Sequence, residues 1–146
     1  MQKIAMVHPN LFERGGAERK LILMSKELIA LGYVVDIIVK EYDKKNTFNE
    51  FINDKLNIIN LNNKSKLKWF GNVINILKKN NYDLIVAHNY PANIPVNIYN
   101  MIYGKNKRTV WVCNEVATLL NRKDGLFWKL YYKMEQFLVK YFDLII

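Results

Sequence analysis

HPNLFERGGAERKLILMSKELIAL, residues 8–31, is the stretch that decides the fold. Ahead of it Ile4, Ala5, Met6 and Val7 form a short apolar run. Behind the paired glycines Ala17, Leu21, Met24, Leu28 and Leu31 recur at the spacing of one helix face. The pattern predicts a strand over Lys3 to His8, a turn at Gly15 and Gly16, and a helix over Ala17 to Leu31 that Gly32 closes in a left-handed cap. The first N–H groups of such a helix lack partners within it and carry the positive end of its dipole, so they suit an anion such as a phosphate. Glycine serves there by admitting positive φ and by leaving no side chain between ligand and backbone. Neither GxGxxG nor GxxxxGK[ST] occurs, so the two glycines by themselves specify a tight turn and no particular ligand.

Outward from this stretch, strands and helices alternate. Val34 to Val39 is the second predicted strand, and Glu41 to Asp54 a polar loop with a short helix marked by Phe48, Phe51 and Ile52. Leu56 to Leu61, interrupted by asparagines, is expected near a sheet edge. Leu67 to Lys79 follows as a helix with Leu67, Phe70, Ile74 and Leu77 on its apolar face. Tyr82 to His88 is apolar through Leu84 to Ala87, as expected of a strand covered on both sides. Pro91 to Tyr103 reads as a helix that begins near Pro95, Thr109 to Cys113 as a fifth strand, and Leu126, Leu130, Met134, Phe137 and Tyr141 as a long helix. This alternation predicts an α/β fold with a parallel, Rossmann-like sheet and helices on both faces. Phe142 to Ile146 then repeats the junction Tyr82 to Val86 and stops inside the strand it starts. Residues 1–146 are therefore expected to be one domain cut within its sixth strand, or one domain of a longer protein.

The 146 residues, 51% of them hydrophobic, suffice for one core. The single cysteine, Cys113, rules out an internal disulfide and fits a reducing compartment. The opening MQKIAMVHP is too short in apolar residues for a signal peptide, and no run approaches the roughly 18 residues of a membrane span. A cytoplasmic or cytosol-facing protein is expected. The net charge of +9 suits a phosphorylated ligand or an anionic lipid surface as partner, and equally a lysine-rich surface that keeps the domain soluble. Nucleic acid is not expected, because the lysines are spread over several elements and no helix-turn-helix or RNA-recognition motif occurs. Two histidines and one cysteine far apart make no zinc spacing, so no metal and no cofactor are implied.

GGAER, with His8 and Pro9 ahead of it and Gly32 behind, resembles the amino-terminal domain of glycosyltransferase family 4, and the resemblance runs in order along essentially the whole chain. It implies the first half of a two-domain GT-B fold and an enzyme that moves a sugar from a nucleotide-sugar donor to an acceptor with retention. The acceptor would be a glycan or a lipid-linked precursor. It places Gly15 and Gly16 beside the donor diphosphate, and most of the nucleotide site, with the paired glutamates of the family, in a carboxyl-terminal domain absent from these residues. A fragment of this kind is expected to be inactive alone.

In open parallel sheets ligands bind beyond the carboxyl ends of the strands, where strand order reverses. Three polar clusters fall there: His8 with the loop from Pro9 to Gly16, His88-Asn89-Tyr90, and Asn114-Glu115. They become neighbours if the strand order is 3-2-1-4-5-6. The resemblance matches His88 to a histidine lining the acceptor side of the cleft and Asn114-Glu115 to a strand-end segment facing the sugar, so these three are expected to be catalytic; His8, Asn89 and Tyr90 are expected on the acceptor side from their place at the strand ends. Asn114 stands where many relatives carry histidine, and Val116 where many carry proline. Taken without the resemblance, His8 is a strand-end histidine and Glu115 a solvated loop carboxylate. Two other readings of the residues stay open: a non-catalytic α/β domain holding a phosphorylated ligand at the glycine turn, and a Rossmann-type nucleotide-dependent enzyme. KSKLKWFGNVINILKK (64–79) and residues 122–141 also combine lysines with Trp69, Trp128 and Tyr132. That pairing is expected of basic amphipathic helices on an anionic bilayer.

Overall fold

The computed structural model describes residues 2–11, 15–43, 55–89, 91–104, 108–112 and 144–145. Among them the order is β1 (Lys3–Leu11), α1 (Gly16–Ala30), β2 (Val34–Tyr42), β3 (Asn57–Asn60), α2 (Lys66–Asn80), β4 (Leu84–His88), α3 (Asn93–Tyr103), β5 (Arg108–Val112) and β6 (Leu144–Ile145). The strands form one parallel sheet in the order β3-β2-β1-β4-β5-β6, the order that the sequence reading required. The asparagine-flanked β3 lies at one edge, as expected.

Period-two alternation decides which helix each strand residue meets. Ala5, Val7, Ile85 and Ala87 pack with Trp69, Val73 and Leu77 of α2 and Val96 and Tyr99 of α3. Ile4, Met6, Val35, Ile37, Val39 and Val86 pack with Leu21 and Ile22 of α1 on the other face. Helix α1 ends as its sequence predicts. Gly32 takes φ +90°, its N–H bonds to Ile29 O at 3.0 Å, and Tyr33 N–H bonds to Leu28 O at 3.0 Å, the paired pattern of a glycine-closed helix end.

Three expectations change in detail. The strand expected to stop at His8 runs on to Leu11: proline removes one N–H from the ladder but its φ suits an extended chain, and pairing resumes at Asn10↔Glu41 and Leu11↔Tyr42. Helix α3 starts at Asn93 and holds Pro95 in its first turn, where an N–H would have no intrahelical partner. The buried face of α2 is turned from the one expected. Trp69, Val73 and Leu77 are fully buried, Phe70 and Ile74 partly, and Leu67 is 79% exposed. Burying the indole removes the largest apolar area available on that helix, so the face turns to include Trp69. Trp69 is therefore core and is not available to a bilayer. The helices expected around Phe48 and from Leu126 to Tyr141 lie outside the described residues.

Near the N-terminal ends of the strands a buried carboxylate joins four segments. Asp36 of β2 accepts hydrogen bonds from Tyr82 Oη at 2.6 Å and Asn57 Nδ2 at 2.9 Å, and pairs with Lys3 Nζ at 3.0 Å. Burial alone would raise this carboxyl; the bonds from Tyr82, Asn57 and Lys3 outweigh it and hold the group below its ordinary value. Replacing Tyr82 by phenylalanine should cost about 1.5–3 kcal/mol at neutral pH, the range for a hydrogen bond to a charged group. Because the Asp36 carboxyl is depressed in the folded state, the stability it brings is present above the ordinary carboxyl range and lost as pH falls through its folded value. Urea unfolding of wild type and Y82F across pH should show the difference shrinking in acid.

Candidate active site

Parallel pairing of β1 with β4 runs up to Val7↔Ala87. One residue further, His8, three residues before the end of β1, and His88, the last residue of β4, meet on the two strands that flank the reversal, their rings edge-on with centroids 5.1 Å apart. Nδ1 of His8 lies 3.2 Å from Nδ1 of His88 and 3.1 Å from the His88 carbonyl oxygen. The opposite nitrogen, Nε2, lies 3.4 Å from Oε1 of Glu18 in the first turn of α1. Both rings are buried, His88 wholly. Burial first, then the nearby charges of His8 and Lys20, push His88 down to about 3, with Glu18 opposing. The Glu18 carboxyl is itself held below its ordinary value, first by the His8 hydrogen bond. A carboxylate, a histidine and a second histidine thus form one chain from the mouth of α1 into the sheet.

The glycine corner is open on one side. Gly15 precedes α1 in extended conformation at φ −89°, and Gly16 begins the helix, so neither uses the positive φ that the sequence suggested. Their service is the absence of side chains. A Cβ at Gly15 would collide with Oε2 of Glu18, whereas a Cβ at Gly16 would meet nothing within 4 Å. Gly15 has no side chain to cap this helix end, and in the first turn the Glu18 carboxylate accepts its own backbone N–H.

Asn89 follows β4 with φ 65°, a left-handed conformation that asparagine tolerates, and its carbonyl accepts the Ala92 N–H at 3.0 Å in the turn into α3. Among the described residues the side-chain carbonyls of Asn89 and of Asn10, near the end of β1, are buried without a hydrogen-bond partner. Orphaned amide oxygens of this kind can take hydroxyl donors. The structure thus gathers Gly15, Gly16, His8, His88 and Asn89 at the reversal point, with both imidazoles beneath the surface. Tyr90, Asn114 and Glu115 lie outside the described residues. Sequence reasoning used GGAER for its glycines and passed over Glu18, whose position three residues after the helix cap was the signal available.

The sequence model of Glycosyltransferase Family 4 matches residues 14–146. No curated protein matches the chain. Among solved structures, MurG of Acinetobacter baumannii superposes with a TM-score of 0.62 at 13% identity, over 99% of this chain and 40% of its own. A glycosyltransferase from Rickettsia africae gives 0.61 at 24% identity, over 90% and 33%. HepE of Anabaena, solved with UDP and glucose, gives 0.54 at 18% identity, over 77% and 29%. These likenesses are of fold: the sheet is Rossmann-like and matches part of GT-B glycosyltransferases. The chain spans 29–40% of the length of those three structures.

A histidine held neutral by burial binds fewer protons folded than unfolded, so the His88 contribution lowers stability as pH falls from 6.5 toward about 3. Denaturant midpoints of H88Q measured across that window should fall less steeply with acid than those of wild type.

Proposed function

The chain belongs to glycosyltransferase family 4, and we propose that it forms the acceptor-side half of a retaining enzyme that moves a sugar from a nucleotide-sugar donor. The observation that carries this reading is the start of α1 at Gly15 and Gly16, which carries no side chain at either position. It opens at Gly16 onto empty space beside the ends of β1 and β4, where strand order reverses. In the proposed complex the donor diphosphate rests on the leading amides of α1. Backbone dipoles then stabilise the charge that grows on the phosphate as the sugar leaves, and that phosphate accepts the proton of the attacking hydroxyl, so no strong base is needed. Asn10 and Asn89, with their unpartnered carbonyls, take sugar or acceptor hydroxyls. Asn114 and Glu115 orient the reacting groups from the end of the fifth strand, and Tyr90 joins the acceptor side. His8 and His88 act from below, through what they touch. No metal or cofactor is assigned, and the nucleotide-sugar enters as substrate.

The acceptor is proposed to be lipid-linked or membrane-borne, with the enzyme lying on a cytosolic membrane face. What supports this is the surface of α2 and α3. Lys64, Lys66, Lys68, Lys78 and Lys79 are exposed, and no acidic residue lies between 62 and 82. Leu67, Met101, Ile102 and Tyr103 are exposed apolar residues on the same two helices. Apolar side chains among lysines suit an anionic interface. Among the described residues no helix is long and apolar enough to cross a membrane.

Two measurements test these proposals. Gly16→Ala should leave the fold intact or stabilise it by up to about 1 kcal/mol, since alanine is the better helix residue. In the longer protein it should still weaken nucleotide-sugar binding about tenfold, or ~1.4 kcal/mol, because the methyl fills the space meant for phosphate. Unchanged affinity and turnover would contradict the diphosphate position. For the membrane, sedimentation with anionic vesicles at low salt should capture the protein, and K78E with K79E should release it; equal capture by neutral vesicles would contradict the proposal.

A further inference from the structure

Asparagines with an unsatisfied amide atom continue along the carboxyl side of the sheet beyond the two that flank the reversal. Asn10 lies near the end of β1, Asn89 follows β4, and Asn63 follows β3 at the sheet edge. Among the described residues the side-chain oxygens of Asn10 and Asn89 and the side-chain nitrogen of Asn63 are buried without a hydrogen-bond partner. None of the three residues is wholly buried, so these atoms lie close beneath the surface. A buried polar atom without a partner costs free energy, and three of them on one side of a sheet ask for a common cause.

The row is continuous. Asn10 pairs in register with Glu41 of β2, and the Asn63 N–H bonds to the Lys40 carbonyl oxygen at 3.2 Å. Lys40 Nζ and Glu41 Oε1 pair with each other at 2.8 Å, so this end of β2 contributes an ion pair and no net charge. The turn after β3 is held by its own asparagines: Asn62 takes φ 47° and its N–H bonds to Asn60 Oδ1 at 3.1 Å. Asn72 of α2 donates from Nδ2 to Oδ1 of Asn63 at 3.3 Å, which steadies that amide and leaves its nitrogen as the group to be satisfied. Neighbouring strands lie about 4.8 Å apart, so the three steps from β4 to β3 in the sheet order cover roughly 14 Å, more than one sugar ring.

We infer that Asn89, Asn10 and Asn63 mark successive subsites for a neutral oligosaccharide acceptor that lies across the strand ends from β4 to β3, with Asn63 at its outer end. Hydroxyls both donate and accept, and a side-chain amide offers one role or the other by turning half a turn, so the two match without charge. A sugar carboxylate brings acceptors only, which the carbonyl oxygens of Asn10 and Asn89 cannot satisfy. The inference rests on the sugar-transfer reading for calling the glycan an acceptor, and on this geometry for its binding.

Titration of the isotope-labelled chain with glucose, maltotriose, cellotriose and trigalacturonate, followed at the asparagine side-chain amide resonances, tests it. At least one neutral trisaccharide should bind about tenfold tighter than glucose and move the resonances of all three asparagines. Glucose should leave Asn63 unmoved, and trigalacturonate should bind no tighter than glucose. In N63A the advantage of the trisaccharide should vanish while the backbone spectrum stays dispersed and the glucose response is kept. Neutral trisaccharides no tighter than glucose, an Asn63 amide that never shifts, a tighter trigalacturonate, or an N63A as selective as wild type would overturn the inference; if N63A does not fold, the wild-type resonances decide. Turnover of the longer protein is read separately. Trisaccharide binding without any sugar transfer would leave this inference standing and remove the functional reading, whereas transfer to glucose as efficient as to the trisaccharides would do the reverse.

Discussion

The parallel ladder between β1 and β4, from Ile4↔Leu84 to Val7↔Ala87, is the constraint on which the rest depends. Among the described residues two other strands and two helices separate these strands in sequence, yet they lie side by side at the centre of the sheet. Their adjacency forces the chain to wind one way from β1 and the other way from β4. This puts α1 on one face and α2 and α3 on the other. It also leaves a crevice above the reversal, lined by whatever residues happen to end β1 and β4. His8 meets His88 only because this register holds, and Glu18 meets His8 only because α1 starts beside the same strand ends. A slip of one residue in the ladder would send one imidazole to the opposite face and part the pair.

Much of this was legible in the sequence because it follows from period and punctuation. Apolar runs of strand length, helices at 3.6-residue spacing and Gly32 at the end of α1 are local signals, and the alternation they make admits few topologies. What escaped was decided by competition between residues far apart. The α2 face turned to bury Trp69 in place of Leu67, because the space between α2 and the sheet accommodates an indole, and no periodicity count weighs volume. Strand β1 continued past Pro9 because β2 offered further partners beyond the missing donor. In the site, the glycines drew attention as a motif, but their conformational freedom is unused at Gly15 and Gly16. The first-turn glutamate gained its partner only through tertiary contact. His88 was legible as a strand-end histidine, whereas its complete burial was not.

The two ends of the sheet handle buried charge in contrasting ways. At the N-terminal ends, Asp36 is ringed by Tyr82, Asn57 and Lys3, and every partner is a donor. That arrangement admits one protonation pattern and serves to hold strands together. At the carboxyl ends, Glu18 meets His8, and the ring nitrogens of His8 and His88 either donate or accept; Gly16, with room for a Cβ, opens the helix that carries Glu18. The same low-dielectric surroundings that rigidify the first cluster make the second responsive to an arriving charge. Fold support and chemistry are thus segregated along the strands, as expected where ligands bind beyond the carboxyl ends of a parallel sheet.

The central claim is that the first amides of α1 receive a diphosphate. The most direct measurement follows backbone amide resonances while inorganic pyrophosphate is titrated into the protein at low ionic strength. The account predicts that Gly15, Gly16 and Ala17 shift first and furthest. Shifts confined to the lysine-bearing surface of α2, with the α1 amides unmoved, would contradict it.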